Sequence, residues 1–107
     1  MKTSLVYGIK SKDQIQVKQI LEPVLEFQFA AHETADEQPY YFAGQISGER
    51  FCIYLNYNDA DNYWNYPEHE QYEILLLINE TTRADVLQKL LTEKIPELIL
   101  LEVYEEE

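Results

Sequence analysis

The segment Tyr72-Glu73-Ile74-Leu75-Leu76-Leu77-Ile78 constrains this chain more than any other. From Ile74 to Ile78 no polar residue interrupts it, so a strand built from it has no face suited to water. It must be covered on both sides. No apolar run in the sequence is longer, and at strand length it is far too short to cross a bilayer.

The flanking sequence supplies the other elements. Ser4 to Ile9 reads as a strand. Ser11 suits a helix N-cap with Gln14 three residues on, as a capping box requires. Val17, Ile20 and Leu21 then recur at helical spacing, with Ile15 beside them. Pro23 predicts an end near Glu22. From Leu25 to Ala31 apolar and other residues alternate, which predicts a half-buried strand with Phe27 and Phe29 in the core. His32 to Gln38 reads as a polar loop and Tyr40 to Ile46 as a strand. Ser47-Gly48 is a turn into a hairpin partner, Glu49 to Tyr57. There Phe51, Ile53 and Leu55 share one face, and Arg50, Cys52 and Tyr54 the other. Asn58 to Gln71 has no clean period and is long for a loop in a small domain, a length that marks functional candidates. After the apolar strand, Thr82 suits a second helix cap, with Asp85 favouring the positive helix end. Val86, Leu87, Leu90 and Leu91 form the apolar stripe, and Arg83 is placed to pair with Glu80 or Asp85. Pro96 separates this helix from a last strand, Leu98 to Tyr104, and Glu105 to Glu107 reads as a solvated tail.

The order β-α-β-β-β-β-α-β predicts an α+β two-layer sandwich. Its sheet is mixed and mainly antiparallel, with both helices on one face, and the strands around the second helix are able to lie parallel. At 107 residues the chain allows one domain, 1–107, and no linker or repeat divides it.

Charge narrows the function. Twenty acids against eight basic side chains give a net charge of −12. That disfavours a phosphate backbone or an anionic membrane as partner and favours cations or basic proteins. The charge is uneven: residues 33–73 hold nine acids and one base, whereas residues 1–32 are slightly basic. With Cys52 as the single cysteine, no intramolecular disulfide is possible. A signal-peptide pattern is not seen at the N-terminus, and a soluble cytoplasmic protein is expected.

Specific chemistry is sparse. Two His, His32 and His69, and one Cys offer no zinc-finger spacing, so no metal is expected. Asn58-Asp59-Ala60-Asp61-Asn62 has the oxygen-rich start of a calcium loop, but Trp64 stands where the turn requires Gly. Cys52 beside Arg50 reads as a buried structural thiol rather than a nucleophile. Carboxylate pairs are expected by chance in so acidic a chain, and the three glycines are too dispersed for a phosphate loop. No catalytic residue and no cofactor are expected.

A concentration of aromatic and acidic residues stands out instead. Seven of the nine Tyr, the only Trp and two of the four Phe lie between Tyr40 and Tyr72. Tyr and Trp dominate binding hot spots, and carboxylates around them pair with Arg and Lys on a partner. The candidate partner-binding residues are Asp59, Asp61, Tyr63, Trp64, Tyr66, Glu68, His69 and Glu70, with Glu33, Asp36 and Glu37 as second contacts.

The segment Leu75 to Leu87, L-L-L-I-N-E-T-T-R-A-D-V-L, follows an aromatic, acidic loop containing Tyr-Pro-Glu-His. Here the chain resembles small bacterial immunity proteins of contact-dependent inhibition and related polymorphic toxin systems. The resemblance covers roughly the C-terminal half. It implies a cytoplasmic protein that neutralises a toxin domain encoded beside it, commonly a nuclease with a basic substrate site. It implies no catalytic residue, since Arg-Ala-Asp reads as a helix start. Three other readings compete: an acidic nucleic-acid mimic that inhibits a defence enzyme, a small enzyme using His32 or His69 with Cys52, and a homo-oligomeric scaffold paired through Leu98 to Tyr104.

Overall fold

The apolar run lies where both its sides are protected. In the computed structural model, which describes residues 2–10, 13–32, 40–44, 48–58 and 62–106, it belongs to a strand flanked by strands on each edge. The elements are β1 (Lys2–Ile9), α1 (Gln14–Leu25), β2 (Ala30–His32), β3 (Tyr40–Gly44), β4 (Arg50–Leu55), β5 (Tyr57–Asn58), β6 (Tyr63–Trp64), a 3-10 turn (Pro67–His69), β7 (Ile74–Thr81), α2 (Ala84–Lys94) and β8 (Ile99–Glu106). Six strands form one sheet in the order β2-β3-β4-β7-β1-β8, and β5 pairs with β6 in a separate small ribbon.

The expected α+β sandwich is the fold. Each hydrogen-bonded neighbour pair in the large sheet is antiparallel. β7 and β8, joined by α2, do run parallel to each other, but β1 lies between them because both pair with it.

Alternation along the strands sorts the sheet into two faces. Leu5, Tyr7 and Ile9 of β1, Phe51 and Ile53 of β4, and Ile74, Leu76 and Ile78 of β7 pack with Val17 and Leu21 of α1 and Leu87 and Leu91 of α2. Both helices therefore cover this face. Leu55 and Phe27 pack against the same cluster, and Phe29 lies within it. Phe27 meets Phe29 edge-on at 5.4 Å and Phe51 at 4.9 Å between ring centroids. The other residues of the same strands, Val6, Cys52 and Leu75, are also buried, yet they lie outside the helix-covered cluster. They belong to the helix-free face.

Several local expectations are corrected. The α1 cap is Asp13, two residues beyond Ser11, which lies outside the described residues. Asp13 Oδ1 accepts from the Gln16 amide at 2.8 Å, and Gln16 Oε1 accepts from the Asp13 amide at 2.9 Å. A carboxylate also suits the positive helix end better than a hydroxyl. Gln14 is freed to donate to the Ile53 carbonyl at 3.1 Å, tying the helix start to β4. The helix runs through Pro23 to Leu25, because Val24 and Leu25 gain contact with the core. It closes at Glu26, whose left-handed backbone (φ 63°) lets its amide reach the Glu22 carbonyl at 2.9 Å.

That extension consumes the start of the predicted strand at Leu25, so β2 is only Ala30–His32 and includes His32. Ile15 and Val86 are 53% and 61% exposed, so each helix turns a narrower stripe to the sheet than its apolar residues allow. Thr82 does not cap α2. Arg83 is the N-cap residue, with no side-chain cap bond, and its amide donates to Thr81 Oγ1 at 3.1 Å. Nor is the Arg83 ion pair local: its guanidinium bonds Glu49 Oε1 at 2.7 Å and Oε2 at 3.0 Å. Glu105 is not a tail residue, since Thr3 pairs with it in the β1–β8 ladder. Gly44 ends β3 at φ +112°, and a Cβ there would fall 2.2 Å from the Glu49 carbonyl oxygen. That crowding explains why Gly opens the hairpin turn.

Candidate functional site

The segment between β4 and β7 is organised by one buried polar side chain. Asn56 is fully buried. Its Nδ2 donates to the carbonyls of His69 and Tyr72, each at 3.0 Å, and more weakly to that of Tyr66 at 3.4 Å. Its Oδ1 accepts from the Tyr66 amide at 2.9 Å. Its backbone adds bonds to the Glu73 carbonyl and from the Asn65 amide, at 2.8 and 2.7 Å. Asn65 Nδ2 in turn donates to the Leu55 carbonyl at 3.0 Å. An amide offers the donors and acceptor that an irregular loop leaves unmatched, which makes Asn56 a substitute for a missing strand neighbour.

The loop thus pinned lies against the helix-free face. Tyr72 covers β1 at Gly8, where a Cβ would sit 2.6 Å from the Tyr72 ring. Glycine is therefore required for the ring's close approach. Lys10 Nζ lies 5.3 Å from the centroid of the same ring. The 3-10 turn brings His69 Nε2 to 2.6 Å from Glu102 Oε2 of β8, and Glu68 joins them in one cluster. Burial raises the Tyr66 hydroxyl above its usual titration range, and Tyr104 and the carboxylates of Glu102 and Glu68 add to the shift.

A row of side chains crosses the same face farther out. His32 pairs with Tyr40 across β2–β3, and Tyr54 pairs with Leu75 across β4–β7. The His32 and Tyr40 rings lie 4.7 Å apart, and Tyr40 stacks on Tyr54 at 4.5 Å. Burial raises the Tyr54 hydroxyl well above its ordinary range, with Cys52 and Tyr40 contributing. Burial likewise raises the Cys52 thiol, outweighing the opposing effects of Tyr54 and Arg50. This environment fits the structural reading of Cys52. The Arg50 guanidinium lies 3.1 Å from Glu80.

The predicted site residues are distributed as follows. Tyr63 is 46% exposed on β6. Trp64 is half-buried and meets Tyr57 edge-on at 5.1 Å. With Leu55 and Glu73 these two rings line an open cleft of about 350 Å³. Tyr66 and His69 are half-buried, whereas Glu68 and Glu70 are exposed. Glu33, Asp36, Glu37, Asp59 and Asp61 lie outside the described residues, as does the acidic centre of the calcium-like segment.

Sequence reasoning missed Asn56, Glu102 and the His32–Tyr40–Tyr54 row. A signal existed for Glu102, an acid interrupting an otherwise apolar strand, and for Tyr54, already placed opposite the core-facing residues of its strand.

The fold and this face define a small α+β domain with helices on one side of its sheet and an aromatic, loop-bordered surface on the other. Comparison with protein-family models, curated proteins and solved structures returns no match. No helix among the described residues is long and apolar enough to cross a membrane.

Proposed function

We propose that this chain is a binding protein of the immunity type, which acts in the cytoplasm by occluding a basic toxin domain, a nuclease in the leading reading. One observation carries it. The helix-free sheet face presents the His32–Tyr40–Tyr54 row, and the loop at its border presents exposed Tyr63, Glu68 and Glu70. Aromatic rings supply contact area at low entropic cost, and carboxylates supply steering and pairing toward Arg and Lys. Occlusion needs no catalytic group.

The reading requires a toxin domain encoded beside this chain, and the test is co-expression with that domain. Protection from growth arrest and a stable complex are expected. Tyr63→Ala should weaken the complex by about 10-fold to 100-fold, the range of an aromatic hot spot. Absence of both protection and complex formation would sink the reading.

A second reading, the homo-oligomeric scaffold, is favoured by β8. This edge strand exposes Ile99, Leu100, Val103 and Tyr104, and such an edge invites pairing with another copy. Light scattering on the isolated chain separates the two: a dimer abolished by Val103→Lys would favour the scaffold.

A further inference from the structure

We propose that Glu68, His69 and Glu102 form a binding site for a divalent transition-metal cation, with Zn²⁺ as its representative. The site stands independently of the partner reading. Each of the three residues offers one ligand atom, and these atoms all lie within 4.8 Å of one another. Around a cation bonded at about 2.0–2.1 Å, tetrahedral ligands are separated by about 3.3 Å. His69 Nε2 and Glu102 Oε2, now at 2.6 Å, would therefore part by less than about 1 Å, and Glu68 would close in. Both are rotamer-scale adjustments.

Two further features support a cation here. The first is charge. Two carboxylates share the cluster with one imidazole, and among the described residues no Lys or Arg forms an ion pair with either. Lys2 and Arg50 each pair with Glu80, Lys18 with Glu22, and Arg83 with Glu49. A divalent cation relieves this crowding of negative charge.

The second is preorganisation. The His69 carbonyl is held by the buried Asn56 amide, and Glu102 is fixed opposite Val6 in the β1–β8 ladder. The ligands thus come from a pinned turn and a paired strand, which lowers the ordering cost of binding. An imidazole among the donors favours zinc-like cations over Mg²⁺ or Ca²⁺, which take oxygen ligands. Three protein ligands leave a fourth position for water or a partner's side chain.

The experiment is calorimetric titration of the metal-stripped full chain with Zn²⁺ alone at neutral pH. One Zn²⁺ per chain is expected, with a dissociation constant in the micromolar range or tighter and no competition from excess Mg²⁺. Glu102→Gln and His69→Gln should each weaken binding by about tenfold or more, while His32→Gln leaves it unchanged. Removing His69 also removes its contact with β8, so Glu68→Gln is the decisive second variant. Glu68 is exposed, and the variant should keep the thermal midpoint of the metal-free chain yet bind Zn²⁺ more weakly. Three results would overturn the site: no zinc binding by the unaltered chain, binding unaffected by Glu68→Gln and Glu102→Gln, or equal dependence on His32.

Discussion

Asn56 carries more structural consequence than any acid or aromatic in its loop. A two-residue ribbon and a single 3-10 turn cannot satisfy their own backbone groups, so the described residues from Tyr63 to Tyr72 need a template outside themselves. The Asn56 amide provides it from a fully buried position. Replacement by Leu keeps the volume near constant but strands the Tyr72 carbonyl and the Tyr66 amide, while the His69 carbonyl keeps the Tyr72 amide as donor. Each buried group left unpaired costs about 1–3 kcal/mol. With two groups left unpaired, Asn56→Leu is expected to lower unfolding stability by about 2–6 kcal/mol in urea titrations, with a red-shifted emission from Trp64, the only tryptophan. A loss under about 0.5 kcal/mol would show that the loop is held by its rings instead.

Among elements, α2 shows how tertiary packing selects from an ambiguous pattern. Val86, Leu87, Leu90 and Leu91 are all apolar, yet Leu87 and Leu91 are fully buried while Val86 is 61% exposed. The connection from β7 decides the helix's rotation. Thr81 accepts the Arg83 amide and donates to Glu49 Oε2 at 2.6 Å, and Arg83 grips the same carboxylate. Leu87→Ala should cost about 2–5 kcal/mol by cavity formation, whereas Val86→Ala should change stability by less than about 0.5 kcal/mol. Thermal or chemical unfolding of the two variants checks the assignment, and equal losses would contradict it.

For the whole molecule, the balance between net charge and particular ion pairs governs behaviour in acid. Arg83 holds the Glu49 carboxyl below its ordinary value of 4.5, aided by Thr81 and opposed by partial burial. The sign follows from that depression. The pair's contribution is fully present above the unfolded-state value and is lost as pH falls through the lower folded-state value. Both partners are partly exposed, so its worth is about 1 kcal/mol or less. Falling pH also neutralises other acids and relieves self-repulsion in a chain of net charge −12, so the raw profile mixes two opposite trends. Comparison with Glu49→Gln separates them. The variant should be less stable at neutral pH, and the difference should vanish toward pH values below the folded-state value. A difference constant across that range would exclude the assigned titration.

The order and type of the main elements are legible in the amino-acid sequence. So are the core-facing half of each central strand and the acidic, aromatic character of the segment before β7. Apolar periodicity and punctuation by Pro and Gly are local properties and are legible without coordinates. Tertiary structure decided the rest. It chose Asp13 over Ser11 as a cap, carried α1 past Pro23, rotated α2 away from Val86, and sent Arg83 to Glu49 instead of a local partner. It also brought Glu102 from the last strand to Glu68 and His69 in the loop, 33 residues away in the case of His69. Such contacts depend on sheet order and register, which place residues distant in sequence side by side through backbone pairing that no local pattern encodes.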